Sequence, residues 1–190
     1  MNALEIIGTL IGLLYLYFEY KSSIYLWITA IVMPAIYIAV YYNAGLYADF
    51  GINIYYLFAA IIGWVYWIYK QDKHEEKKFP ITRTPLHYYL VFIAIFFVAF
   101  ALISWILITY TDSDVPVLDS FTTALSIIGM WMLTKKYVEQ WLIWILVDVV
   151  SAGLYIYKEL YFTAGLYAIY TVIAIFGYIN WVKLMKNDAK

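Results

Sequence analysis

The stretch Glu139–Tyr170 reads EQWLIWILVDVVSAGLYIYKELYFTAGLYAIY, and residues 25–56 read YLWITAIVMPAIYIAVYYNAGLYADFGINIYY. Laid over each other at an offset of 114 residues, Trp27 meets Trp141 and Tyr41 meets Tyr155. Leu46 and Tyr47 meet Leu160 and Tyr161, Gly51 meets Gly165, and Tyr56 meets Tyr170. The register continues outward without a gap. Lys21 meets Lys135, and Ala60, Ile61, Gly63 and Trp67 meet Ala174, Ile175, Gly177 and Trp181. Trp, Gly and Tyr matches at one constant offset mark an internal duplication, spanning about Leu4–Lys70 and Leu118–Leu184.

Apolar residues make up 66% of the 190 and charged residues 13%, too few to cover the surface of a soluble fold of this length. The chain therefore reads as an all-α integral membrane protein. A bilayer core of ~30 Å takes ~20 apolar residues per helix. Charge-poor runs place helices at Ala3–Phe18, Ile24–Tyr42, Phe50–Tyr69, Leu86–Thr109, Ser120–Leu133, Val138–Tyr157 and Leu160–Val182. The first run begins near Met1 without a basic flank or a small-residue cleavage site, so it reads as a span rather than a signal peptide. Residues 1–70 form a first triple-helix bundle, 71–85 a polar loop, 86–117 a linker helix with an outer loop, and 118–190 a second bundle with a tail. Three helices plus one crossing helix return the second triplet in the orientation of the first. The expected fold is thus seven transmembrane helices as a 3+1+3 parallel repeat, an arrangement in which substrates bind near the midplane.

Successive loops alternate sides. One side collects Lys21, Lys70, Lys73, Lys77, Lys78, Arg83, Lys135, Lys136, Lys183, Lys186 and Lys190, which is 11 of the 12 basic residues. The other side has Lys158 with Asp49, Asp112, Asp114 and Glu159. The positive-inside rule makes the basic side cytoplasmic, with the N-terminus periplasmic and the C-terminus cytoplasmic. These basic residues are scattered over several short segments, so a nucleic-acid partner is not expected.

Helix six carries Trp141, Trp144, Asp148, Ser151 and Tyr155 at spacings of 3, 4, 3 and 4, which puts them on one face. Related stripes run along helix two (Trp27, Pro34, Tyr37), helix three (Asn53, Tyr56, Trp67) and helix seven (Tyr167, Tyr170, Trp181). Asp148 stands near the middle of its span, where a carboxylate costs ~3 kcal/mol on insertion scales. No other span offers a deep Lys, Arg or His. Three readings are open: a protonated or hydrogen-bonded structural Asp, a counter-charge for a cationic substrate, and a proton-coupling site. Trp faces near it suit a flat aromatic cation, at ~0.5–2 kcal/mol per ring when desolvated. For Trp67, Trp141 and Trp144, interfacial anchoring is the rival reading. Asn53 could hydrogen-bond a ligand or a neighbouring helix. Pro34, the mate of Asp148, would kink helix two and could serve as a hinge.

Several function classes lack their parts. With no Cys and two His that stand outside the apolar runs' interiors, thiolate chemistry, a zinc hydrolase and a Ser–His protease are not expected. No metal or cofactor is expected, and helix seven has no Lys for a retinal Schiff base. A neutral-sugar carrier would share the repeat, yet a sugar does not call for Asp148.

The duplication, the helix count and the segments GWVYW (Gly63–Trp67), DSFTTALSIIGMW (Asp119–Trp131) and Glu139–Tyr170 resemble the Pnu vitamin transporters over nearly the whole chain. The pairs Trp64 with Trp67 and Trp141 with Trp144 resemble the family's substrate-site aromatics. The resemblance implies a SWEET-like fold, assembly as a homotrimer, and facilitated diffusion of a B-vitamin across the bacterial inner membrane, trapped by cytoplasmic phosphorylation. The family's carriers of nicotinamide riboside (PnuC type) and thiamine (PnuT type) both take aromatic cations. Nicotinamide riboside carriers often have Gln just before the helix-five Trp. Met130 stands there, so thiamine is the expected substrate, with nicotinamide riboside the alternative. The expected substrate-binding set is Asp148, Trp141, Trp144, Ser151, Tyr155, Trp27, Tyr37, Asn53, Tyr56, Trp64, Trp67, Tyr167 and Tyr170.

Overall fold

The computed structural model describes residues 3–44, 47–71 and 79–188. The side chains of Glu5, Tyr41 and Asp49, and residues Lys73, Lys77, Lys78 and Lys190, lie outside the described set. The described chain forms seven helices: α1 (Ala3–Tyr20), α2 (Leu26–Ala44), α3 (Tyr47–Lys70), α4 (Leu86–Tyr110), α5 (Pro116–Thr134), α6 (Gln140–Tyr157) and α7 (Tyr161–Asp188). Among the described residues, α3 to α7 are long and apolar enough to cross a membrane, while α1 and α2 contribute the shorter apolar stretches Leu10–Tyr20 and Leu26–Ala39.

Helix α5 begins a turn earlier than the apolar run suggests, because Pro116 sits in the first turn, where a missing N–H costs nothing. Ser120 Oγ donates to the Pro116 carbonyl at 2.5 Å. Helix α7 runs past Val182 into its polar tail as far as Asp188.

Three turns between helices use one device. Ser22 (φ 51°), Lys136 (φ 53°) and Glu159 (φ 59°) each adopt the left-handed conformation that ends a helix. The amide after each closes back five residues, from Ser23 to Phe18, Tyr137 to Met132 and Leu160 to Tyr155, at 2.8–2.9 Å. Ser22 and Lys136 are 114 residues apart, so the duplication read in the sequence extends to a non-glycine backbone conformation.

The chain divides into two compact units, 1–80 and 81–190. In the first, α2 packs against both α1 and α3. In the second, α6 packs against α5 and α7, and α4 packs on α5. Each unit is closed by the same tryptophan socket. In the first, the Trp27 ring fills the space over Gly63 and meets Trp67 edge-on at 5.4 Å. In the second, Trp141 covers Gly177 and meets Trp181 edge-on at 5.8 Å. All four tryptophans are buried. Burying such rings on a glycine brings helices close and supplies much of the packing energy available in lipid, where apolar transfer gives none.

Helix α4 is held at both levels. Along its length, Phe92 meets Trp131 edge-on at 5.0 Å in a core with Ile128 and Met132. Before its first turn, residues 81–85 are pinned to the α5–α6 turn. Thr82 N donates to the Lys136 carbonyl (3.1 Å), and Val138 N donates to the Thr82 carbonyl (2.9 Å). Glu139 accepts from Thr84 N at 2.8 Å, Thr84 Oγ1 at 2.9 Å and Arg83 Nη1 at 3.2 Å. The Tyr178 hydroxyl and the Glu139 carboxylate together raise the Arg83 pKa above its already high usual value.

Candidate functional site

Helix α6 sorts its residues by face. Gln140, Trp141, Val147, Asp148, Ser151 and Leu154 are buried, whereas Leu142, Leu146 and Val149 are exposed. This is the i, i+3, i+4, i+7 pattern of an amphipathic helix. The buried face is the polar one at mid-span, the reverse of a soluble helix, because here the exposed side meets hydrocarbon.

Asp148 lies at the middle of that face with 8% of its surface exposed. Among the described residues it makes no hydrogen bond and no ion pair. Ser151, one turn on, is 7% exposed. Trp144, one turn before, is half-buried, with its ring against Gly129 of α5, where a Cβ would lie 3.2 Å from two of its atoms. The Trp144 Nε1 is buried without a hydrogen-bond partner among the described residues. Further along, Tyr155 stacks on Tyr167 (5.2 Å, 28°) and Tyr167 meets Tyr170 (5.7 Å), an aromatic ladder joining α6 to α7. The structure thus brings Trp144, Asp148 and Ser151 onto one strip of α6, and Tyr155, Tyr167 and Tyr170 into one cluster.

The remaining expected residues fall elsewhere. Trp27 and Trp141 have no exposed surface and Trp67 has 3%. In this structure their rings pack in the two sockets, contacts that the stripes alone do not reveal. Trp64 and Trp67 part company: Trp67 is inside the first unit, while Trp64 is 36% exposed at its surface. Tyr37, Asn53 and Tyr56 are half-buried in the first unit.

Two buried polar residues stand outside the set expected from sequence. Glu19, just beyond the apolar run assigned to helix one, is 1% exposed and pairs with the Tyr15 hydroxyl. Gln140 has no exposed surface. Their repeat mates are Leu133 and Leu26, both fully buried. The duplication therefore carries the missing signal: a polar residue whose mate is a core leucine is itself a buried residue.

Nothing in this strip is arranged for bond-making: the Asp148 carboxylate has no second acid, His or cationic group beside it among the described residues. The arrangement suits binding and passage of a solute.

Comparison with known proteins agrees. The nicotinamide riboside transporter PnuC of Escherichia coli (strain K12) is 25% identical over 206 residues, covering 96% of this chain and 86% of its own. That of Neisseria mucosa is 24% identical, covering 96% and 73%. A crystal structure of the vitamin B3 transporter PnuC superposes with a TM-score of 0.74 at 23% identity, over 96% of this chain and 81% of that one, so the fold is shared. The model of the nicotinamide mononucleotide transporter family matches residues 2–183, nearly the whole chain, and the protein, a membrane transporter and not an enzyme, belongs to that family.

Proposed function

We propose that this protein carries nicotinamide riboside across the bacterial inner membrane by facilitated diffusion, with cytoplasmic phosphorylation trapping the product. The observation that carries the reading is Asp148, a carboxylate 8% exposed at mid-span with no ion pair among the described residues. A permanently cationic pyridinium supplies the missing charge, and the Trp144 ring one turn away offers it a π surface. Ser151 and the Tyr155–Tyr167–Tyr170 cluster offer hydroxyls further along.

Thiamine, expected from Met130, is also an aromatic cation. The relatives compared above are named for nicotinamide riboside, which favours that substrate. Met130 is 6% exposed, packed inside the second unit. The basic asymmetry supports a periplasmic N-terminus and cytoplasmic C-terminus. The homotrimer implied by the family resemblance belongs to the same proposal, and mass measurement in detergent checks it.

Thermal unfolding of the purified protein with nicotinamide riboside, thiamine or glucose tests the substrate. Nicotinamide riboside should raise the Tm, by RT ln(1 + [L]/Kd), at concentrations where the others do not. A shift with thiamine alone would restore the expectation from Met130, and a shift with glucose alone would remove Asp148 from the argument.

A further inference from the structure

Gln140 is the most anomalous polar side chain of the second unit. It opens α6, has no exposed surface, and neither its Nε2 nor its Oε1 has a hydrogen-bond partner among the described residues. Leaving a buried amide unpaired is costly, because both of its dipoles lose water and gain nothing. The fold does not need an amide there. The duplicated position in the first unit is Leu26, which is likewise fully buried and heads its helix beside the matching tryptophan. An amide kept where leucine serves the packing has another use.

Its place on α6 suggests what that use is. Gln140, Trp144 and Asp148 follow one another at i, i+4 and i+8, so they stand about 6 Å apart along one side of the helix. The Trp144 Nε1 and the Asp148 carboxylate are also without hydrogen-bond partners among the described residues. Three consecutive turns thus offer an amide, an aromatic ring and an anion, none of them hydrogen-bonded through its side chain among the described residues. We infer that Gln140 reads the carboxamide of the substrate: with the pyridinium over Trp144, its cationic nitrogen and ribose lie toward Asp148 and its carboxamide toward Gln140. Two primary amides are complementary, each giving an N–H and a carbonyl, so Gln can satisfy both groups of a carboxamide at once. Gln140 is closed off in this structure, so the contact forms when this end of α6 opens during transport.

This inference rests on nicotinamide riboside being the substrate. The test compares that compound with N-ribosylpyridinium, which has the same charge and sugar and lacks the carboxamide, by calorimetric binding to the full-length protein. The parent should prefer nicotinamide riboside by about tenfold or more, the scale of losing a paired buried amide. Gln140→Leu, which copies the first unit, should bind N-ribosylpyridinium as the parent does and nicotinamide riboside no better. Gln140→Asn, which withdraws the amide by one methylene, should lose most of the preference as well. If Gln140→Leu keeps the parent's preference, Gln140 does not read the carboxamide and the inference falls alone. If the parent binds neither compound, the substrate reading falls and takes this one with it. Should Gln140→Leu fail to fold, Gln140→Asn decides; failure of both to fold would make Gln140 a structural residue and overturn the inference.

Discussion

The Trp141 ring sits on Gly177 so closely that a Cβ there would lie 2.7 Å from three of the ring's atoms, closer than real contacts allow. Both residues are buried, and Trp181 braces the ring from its edge. The indole is fully buried against Trp181, so an added methyl forces the ring or the two helices to shift. Gly177→Ala should destabilise the protein by about 1–3 kcal/mol, the range for overpacking a filled core, seen as a lower Tm in detergent. Gly63→Ala should do the same through Trp27. Gly153→Ala, where a Cβ meets nothing within 4 Å, is the control and should leave the Tm unchanged.

The Glu139 carboxylate binds the segment before α4 through three hydrogen bonds, two of them from Thr84. Its side chain is 11% exposed, whereas that of Arg83 is 59% exposed. The two ends of this ion pair should therefore respond unequally. Glu139→Ala leaves the buried Thr84 groups unpaired and should cost about 2–3 kcal/mol, as for hydrogen bonds to a charged group. Arg83→Ala removes a solvated partner and should cost about 1 kcal/mol or less. Hydrogen exchange at the Thr84 amide should quicken strongly in the first variant and little in the second. Equal effects would show that the ion pair, rather than the Thr84 contacts, holds α4.

How much of this is legible in the sequence depends on what a repeat can and cannot say. The 114-residue offset pairs Trp27 with Trp141 and Gly63 with Gly177 from the residue order alone. Helical spacing says which residues share a face, but not what that face meets. Spacing therefore groups the tryptophans with a substrate path, and does not show that in this structure their rings pack on the glycines of the next helix. A clue is present: a large residue and a small one duplicated together suggest a ring seated on a glycine. Asp148 is legible because a charge in an apolar run is conspicuous. Gln140 is not, because an amide beside a span end looks interfacial. The clamp of residues 81–85 on the α5–α6 turn leaves no pattern at all, since hydrogen bonds between Thr84 and Glu139 join residues 55 positions apart.

Orientation follows from charge and can be checked directly, because the chain contains no Cys. Ser23 lies in the α1–α2 turn, and Asp114 is exposed between α4 and α5. With 11 of 12 basic residues on one side, a Ser23→Cys variant should react with a membrane-impermeant thiol reagent only after the cells are opened. An Asp114→Cys variant should react in intact cells. The opposite pattern would reverse the proposed topology.

Asp148 separates a binding residue from a structural one. If its charge serves the substrate, the empty protein holds an uncompensated carboxylate, 8% exposed at mid-span. Asp148→Asn keeps the size and the hydrogen-bonding capacity and removes that charge. The empty variant should therefore fold and unfold at a Tm equal to or above the parent's. Removing one partner of a buried charged contact costs ~2–5 kcal/mol, so affinity for the cationic nucleoside should fall roughly 30-fold or more. A neutral analogue with the same ring and sugar never drew on the charge, and its weaker binding should change little. If both ligands bind the variant as they bind the parent, Asp148 is a protonated or packing residue. Recognition of the ring would then rest on Trp144 and the Tyr155–Tyr167–Tyr170 cluster, and the Trp144→Ala variant would carry the larger loss.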